Sequence, residues 1–365
     1  MKAAICYEIG KKPLVIEEIT LDKLGKGDVK VRMAACAICH SDIHSLRGEH
    51  ASPPLPAIPG HELSGYVEEV GEGVTYLKPG DHVIGSIIPE GCGQCYYCRV
   101  GHSEMCTTNK LALYTKGREY NKKGQQLGHF AGAVAGFTEY AVIPEVNLVK
   151  VPDDLPLDKA CLLACGVISG WGAVVNRAKV LPGQSVCVVG SGGVGLNAIQ
   201  GAVYSGAFPI VAVDILDSKL ETSKKFGATH TVNSKKSKDA VKEVFNITYG
   251  RGADFVFQVV AGVDILRQAM NMSARNGTTV VIGHGFGEHM TDFSPMDFMG
   301  GKKLTGSAMG AAKLRMDIAR LIELYRAGRL KLDELISGHY PLVKINEAIA
   351  ASEKGVDLRN VITFE

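Results

Sequence analysis

Four cysteines fall within fifteen residues: Gly91-Cys92-Gly93-Gln94-Cys95-Tyr96-Tyr97-Cys98 and then Cys106, a Cys-x2-Cys-x2-Cys-x7-Cys spacing. Thiolates gathered by such tight turns satisfy a tetrahedral metal ion and leave no open position for water or substrate, so the spacing predicts a structural site. Four unpaired thiols on a polar, glycine-rich loop would be reactive, which makes a bound metal the better account of them. Zinc and an iron–sulfur cluster can both take four cysteines, and the spacing alone leaves the two open.

A second constellation, Gly190-Ser191-Gly192-Gly193-Val194-Gly195, follows the apolar run Ser185 to Val189 and precedes an apolar, small-residue segment. Glycines so placed let the backbone turn tightly, approach a pyrophosphate and aim a helix N-terminus at its charge. Asp214 lies nineteen residues past Gly195, at the end of the next apolar run. There it can accept hydrogen bonds from the adenosine ribose and would repel a 2′-phosphate, so NAD is expected rather than NADP. The bland alternative is a glycine turn with a solvated aspartate beyond it; the flanking strand and helix are the context that the dinucleotide reading requires.

The elements that must position these groups change character along the chain. About the first 155 residues are short β-branched runs broken by Lys26-Gly27-Asp28, Pro59-Gly60 and Pro79-Gly80-Asp81, the punctuation of an all-β region. From about residue 185, strands expected at Val186 to Val189, Ile210 to Val213, Thr229 to Val232, Phe255 to Val259 and Thr279 to Ile282 alternate with helices such as Val194 to Ser205 and Lys219 to Phe226. Repeated βα units predict an α/β fold with a doubly wound parallel sheet. A helix is expected from Lys313 to Arg326 and a strand at Asn360 to Phe364.

Composition narrows the class. The chain has 365 residues, 46% hydrophobic and 21% charged, enough for two domains with substantial cores. Forty basic against 38 acidic residues leave a formal charge of +2, and no basic stripe interleaved with aromatics favours a nucleic-acid partner. The start, MKAAICYEIGKK, lacks a signal-like apolar core, and the most apolar stretch, Cys161 to Val175, falls short of the ~20 residues that span a bilayer. A cytoplasmic protein without membrane insertion is expected. Its ten cysteines then stay reduced, with Cys6, Cys36, Cys161 and Cys187 as small core residues among apolar neighbours.

Three further segments carry metal-binding residue types far apart: Cys36-Ala-Ile-Cys39-His40-Ser41-Asp42-Ile43-His44, Gly60-His61-Glu62 and Leu163-Ala164-Cys165-Gly166. None defines a site alone. With the Gly-His-Glu-x2-Gly-x5-Gly-x2-Val pattern from Gly60 to Val74 and the closing Arg359-Asn-Val-Ile-Thr-Phe364, they resemble the medium-chain zinc-dependent alcohol dehydrogenases of the class I/III-like branch, over essentially the whole chain.

The resemblance implies a GroES-like, β-rich catalytic domain over residues 1–165 and 309–365, and a Rossmann NAD-binding domain over 166–308. It implies two zincs per chain, a structural one on Cys92, Cys95, Cys98 and Cys106 and a catalytic one on Cys39, His61 and Cys165. The latter two-thiolate, one-imidazole set leaves a fourth position for water or substrate oxygen. Zinc there would lower the pKa of a bound alcohol, so that the alkoxide passes a hydride to NAD and an aldehyde or ketone results. Ser41 and His44 match the family's proton relay through the nicotinamide ribose. Asp42 matches the carboxylate that orients the zinc histidine, and Glu62 a charge behind the metal. Besides Gly190, Gly192, Gly193, Val194, Gly195 and Asp214, coenzyme contacts are implied for His40 and Arg359 near the pyrophosphate and for Lys219 near the adenosine ribose. Self-association as a homodimer or homotetramer is implied as well.

The match loosens around the substrate. Ile88 falls where the horse-liver-type enzymes carry phenylalanine, which implies a wider pocket. The segment Leu111 to Phe130 reads as a long, polar, basic loop whose Lys116, Arg118, Lys122 and Lys123 either meet an acidic substrate or are solvated. Glutathione-dependent formaldehyde dehydrogenase activity is an alternative, although no arginine and acid pair is placed at that branch's glutathione carboxylate sites. A zinc-free enoyl or quinone reductase would not need Cys39, His61 and Cys165 together, and a polyol dehydrogenase usually has glutamate for the third. A zinc-stabilised binding protein without chemistry is the alternative from another class.

Overall fold

In Asp28–Ala37, Val29, Val31 and Met33 alternate with half-buried polar residues, the period of a strand with one face on a core. This ten-residue strand is the spine of a mostly antiparallel sheet. Along one side it pairs with Glu62–Val70, and it also pairs with Tyr140–Pro144 and, near its end, with Arg359–Thr363. The computed structural model describes residues 1–10, 13–49, 54–109, 115–283 and 291–364. They form two compact units, Met1–Cys165 with Lys313–Glu365, and Gly166–Ala312.

The first unit is the β-rich one. Its core gathers Ile5, Met33, Ile58, Leu63, Leu127, Phe137, Ile143 and Leu148, with Ile345, Ala348 and Ile362 from the chain's last part. The helix Leu314–Arg326 begins one residue after the expected start, and the strand Arg359–Thr363 begins and ends one residue before the expected one.

The expected loop from 111 to 130 is corrected. Residues 111–114 lie outside the described residues, and the remainder is a hairpin, Thr115–Tyr120 with Gln126–His129. Several of its polar residues are used internally. Glu119 and His129, both buried, pair at 2.9 Å, and the second Glu119 oxygen accepts the Val142 N–H at 3.0 Å. Arg118 pairs with Asp28, which lies at the far end of Asp28–Ala37 from Cys39, roughly 30 Å along the strand at the usual rise per residue. Lys122 and Lys123 sit exposed in the turn.

The second unit holds a six-stranded parallel sheet ordered 230–233, 210–214, 186–189, 253–258, 273–281, 303–306. Val186–Val189 is buried throughout, as a strand covered on both faces must be. The order reverses beside this first strand, and ligands of doubly wound sheets bind at that reversal. The helices Gly193–Tyr204 and Asp217–Lys225 begin within two residues of the expected starts. Ala240–Ile247, Val263–Met272 and the edge strand Lys303–Gly306 are further elements.

Candidate active site and metal centres

Strand register draws the distant segments together. Ala37 pairs with Glu62 on one side and with Val361 on the other, and the Ile38 N–H donates to the Asn360 carbonyl at 2.9 Å. Cys39, His61 and Arg359 therefore emerge side by side at one end of the sheet. Cys165 arrives from a short helical turn whose preceding residue, Ala164, is anchored by the Ser86 hydroxyl at 2.7 Å. One donor atom each from Cys39, His61, Glu62 and Cys165 lies within 4.8 Å of the others. All four residues are buried.

Asp42 organises the group. It is the third residue of the helix His40–Leu46, for which Cys39 is the N-terminal cap. One carboxylate oxygen accepts the Cys39 N–H at 3.0 Å; the other accepts the Gly60 N–H at 3.2 Å and His61 Nδ1 at 3.0 Å. The Nδ1–H bond fixes the tautomer and leaves Nε2 with its lone pair for a metal. The hydrogen bond from Cys165, aided by His61 and opposed by burial, holds the Cys39 thiol well below the usual range. A stabilised thiolate, a second thiol and an oriented imidazole are a donor set that suits zinc with an open position.

The charge behind them is compensated. Glu62, fully buried, accepts Arg359 Nε at 3.2 Å, and Arg359 Nη1 donates to the Leu358 carbonyl at 2.9 Å. The Ser41 hydroxyl lies 3.7 Å from Cys39 Sγ. His44, one turn along the helix, is half-exposed and contacts Glu49, a residue that sequence reasoning missed. His40 is exposed, its ring 6.3 Å from that of His44.

The second thiol cluster is built differently. Cys92, Cys95, Cys98 and Cys106 also bring their sulfurs within 4.8 Å of one another. Cys95 Sγ and Cys106 Sγ are 3.9 Å apart, close to the roughly 3.8 Å edge of a zinc–thiolate tetrahedron implied by usual bond lengths. Backbone N–H groups point at the sulfurs: those of Gln94 and Cys95 at Cys92, and those of Cys92 and Asn109 at Cys106. Backbone donors bring the Cys95 thiol down to about 5, while burial against its neighbours pushes Cys98 up to about 12. Four sulfurs packed this closely suit replacement of their protons by one cation. The other thiols, Cys6, Cys36, Cys161 and Cys187, are buried in the cores, and burial raises each of them.

In the second unit, Gly190 has φ +103°, and a Cβ on Gly195 would lie 1.8 Å from the Gly190 carbonyl oxygen. Gly192 has open space where a Cβ would go. It caps the helix Gly193–Tyr204, on whose first turn Val194 is half-buried. Asp214 does more than face outward. Its carboxylate accepts the N–H groups of Ser191 at 2.8 Å, Ile215 at 2.7 Å and Leu216 at 3.0 Å, tying the glycine loop to the next strand. Lys219 is half-buried on the first turn of Asp217–Lys225.

Comparison with known proteins accords with this geometry. The family model described as the alcohol dehydrogenase GroES-like domain matches residues 25–153, and that described as zinc-binding dehydrogenase matches 193–327. Similar proteins include "Alcohol dehydrogenase class-3" of Dictyostelium discoideum, 36% identical over all of this chain and 97% of its own length. "Probable S-(hydroxymethyl)glutathione dehydrogenase 1" of Schizosaccharomyces pombe is 37% identical over 99% and 96%, and "Alcohol dehydrogenase 1" of Pisum sativum 36% over 100% and 97%. Among solved structures, benzyl alcohol dehydrogenase from Acinetobacter calcoaceticus has a TM-score of 0.90 at 32% identity, covering 100% of this chain and 99% of that one. The chain belongs to the medium-chain zinc-dependent alcohol dehydrogenase family. The family's chemistry, hydride exchange between an alcohol and NAD, is the reaction class of this enzyme.

Proposed function

We propose that one zinc at Cys39, His61 and Cys165 serves the reversible oxidation of a small-molecule alcohol to an aldehyde or ketone by NAD, while a second, at Cys92, Cys95, Cys98 and Cys106, is structural. The observation that carries this reading is the convergence of two thiols and an imidazole from three distant segments, with Asp42 on the imidazole. Bound there, zinc supplies a Lewis acid that acidifies an alcohol hydroxyl and polarises a carbonyl.

The protein's own groups do the rest. Asp42 keeps His61 in one tautomer, and the Glu62–Arg359 pair balances charge behind the thiols. Ser41 Oγ, beside Cys39, takes the alcohol proton; His44 receives it at a ring nitrogen and releases it to solvent. The loop from Gly190 through Gly192, Gly193, Val194 and Gly195 holds the coenzyme pyrophosphate. Asp214 and Lys219 serve the adenosine ribose, and His40 and Arg359 serve the pyrophosphate. In this reading residues 166–308 form the coenzyme domain, 1–165 and 309–365 the catalytic domain, and the enzyme is a cytoplasmic homodimer or homotetramer. Among the described residues, no single helix is long and apolar enough to cross a membrane.

The relatives named for a glutathione adduct or class-3 enzyme are as similar to this chain as the pea alcohol dehydrogenase, so identity does not choose the substrate. Arg118 is already paired with Asp28. That removes one cation from those available to a glutathione carboxylate, and a simple alcohol is favoured. The decisive experiment mixes zinc-loaded protein and NAD with primary, secondary and aromatic alcohols and S-hydroxymethylglutathione, and follows reduced nicotinamide. Cys165→Ala is expected to abolish turnover and lower zinc from about two per chain to about one. Absence of turnover on every alcohol, and on every aldehyde with reduced coenzyme, would overturn the reading in favour of a zinc-stabilised binding protein.

A further inference from the structure

The helix His40–Leu46 ends in a turn that acts back on His44. Gly48 takes φ +76°, its N–H donates to the Ser45 carbonyl at 3.1 Å, and the Glu49 N–H donates to the His44 carbonyl at 2.9 Å. This pair of bonds is a Schellman termination, which needs a left-handed residue after the cap. Glycine supplies it, and any Cβ at Gly48 would also meet Ile9 Cγ2 at 2.8 Å. The second bond folds the chain over the helix's last turn, so that a Glu49 carboxylate oxygen contacts His44 Nδ1.

The carboxylate is framed by charge. Arg47 Nη1 lies 3.9 Å from the other Glu49 oxygen, and Arg47 Nε bonds Glu353 at 3.0 Å on the helix Ile345–Glu353. His40 is the neighbouring titratable ring. Both members of the His44–Glu49 pair are substantially exposed, 39% and 49%, so the contact adds little to stability. Its consequence is which ring nitrogen carries the proton.

We propose that Glu49 is a positioning residue for His44: its carboxylate holds the Nδ1 proton, so that the lone pair that accepts the relayed proton is the one on Nε2. This rests on the reading of His44 as the outer group of the relay. A proton arriving at Nε2 gives an imidazolium with both nitrogens protonated, facing an ionised Glu49; the same Nε2 proton then leaves to water, and Glu49 never changes its own protonation. The arrangement parallels other histidines whose second nitrogen is oriented by a carboxylate.

The test uses full-length, zinc-loaded wild type, Glu49→Ala, Glu49→Gln and His44→Gln, each labelled with 15N-histidine. Ring nitrogen shifts, with the His44 signals assigned by their loss in His44→Gln, are expected to show the Nδ1–H tautomer in wild type, a mixture in Glu49→Ala and an intermediate state in Glu49→Gln. The single-turnover rate of reduced nicotinamide formation is expected to fall about 10-fold in Glu49→Ala, within the range of general acid–base contributions, with alcohol KM and zinc content unchanged. An unaltered tautomer in Glu49→Ala, or an unaltered rate there while His44→Gln is slow, overturns the role of Glu49 and leaves the relay standing. Full speed in His44→Gln overturns the relay, and the role of Glu49 with it.

Discussion

Asp42 Oδ1 sits 3.0 Å from His61 Nδ1, and the same carboxylate caps the backbone of Cys39 through its other oxygen. One side chain therefore orients a proposed zinc ligand from each of two segments. Asp42→Ala is expected to free the His61 ring and the start of the helix together, lowering affinity for the catalytic zinc by about 10- to 100-fold. Competition with a chromophoric chelator measures this directly. Unchanged affinity would remove Asp42 from the role.

The cluster at Cys92, Cys95, Cys98 and Cys106 is predicted to be separable from catalysis in composition though not in stability. Cys98→Ser is expected to bind about one zinc per chain, to melt at a lower temperature and to be cleaved more readily by protease near residues 92–106. Retention of two zincs by this variant would show that Cys98 is not a ligand.

Two glycines in one loop should fail in different ways. Gly195→Ala would place a methyl 1.8 Å from the Gly190 carbonyl oxygen, so the folded chain itself must distort, and its thermal midpoint should fall. Gly192→Ala meets nothing within 4 Å, so the midpoint should hold while NAD affinity drops, because the methyl occupies the approach of the pyrophosphate. Equal NAD affinity in Gly192→Ala and wild type would place the coenzyme elsewhere.

The buried pair Glu119–His129 predicts an acid limit to stability. Burial alone would raise the Glu119 carboxyl, but the His129 charge and hydrogen bond and the Val142 N–H outweigh it and hold the group below the usual carboxylate range. A carboxyl lowered in the folded state contributes stability that is complete above its unfolded pKa and is lost as pH falls through the folded value. Urea midpoints should therefore decline as pH drops below about 4.5, the ordinary glutamate range. Glu119→Gln should flatten that decline and lower the midpoint at neutral pH, because the buried His129 ring and the Val142 N–H lose their ionised acceptor. A parallel decline in variant and wild type would assign acid lability to other groups.

How much could be read from the residues depended on whether a pattern was local. The apolar runs at 186–189 and 210–213 are strands buried on both faces, and their hydrophobicity is visible without knowing the neighbours. The four-cysteine spacing is likewise its own signal. Thr115–Tyr120 looked like a loop because its sequence, TKGREY, is polar, and its burial depends on partners at positions 28, 129 and 142 that no local window contains. Glu49 escaped for a related reason. Its signal was Gly48, four residues past His44, the residue a helix needs to turn back on itself. The tie between Asp214 and Ser191 was not legible, since strand adjacency creates that bond.

The Glu62–Arg359 contact joins side chains 297 positions apart, on strands that both pair with the segment ending at Ala37. During synthesis, Cys39, His61 and Cys165 leave the ribosome long before the arginine that neutralises the acid beside them. In the proposed reading, the pocket for the catalytic zinc is thus finished only when the strand Arg359–Thr363 has docked. Zinc loading at that proposed centre would then be one of the last events of maturation, whereas the cysteine lobe, closed within fifteen residues, would be able to fill while the chain is still growing.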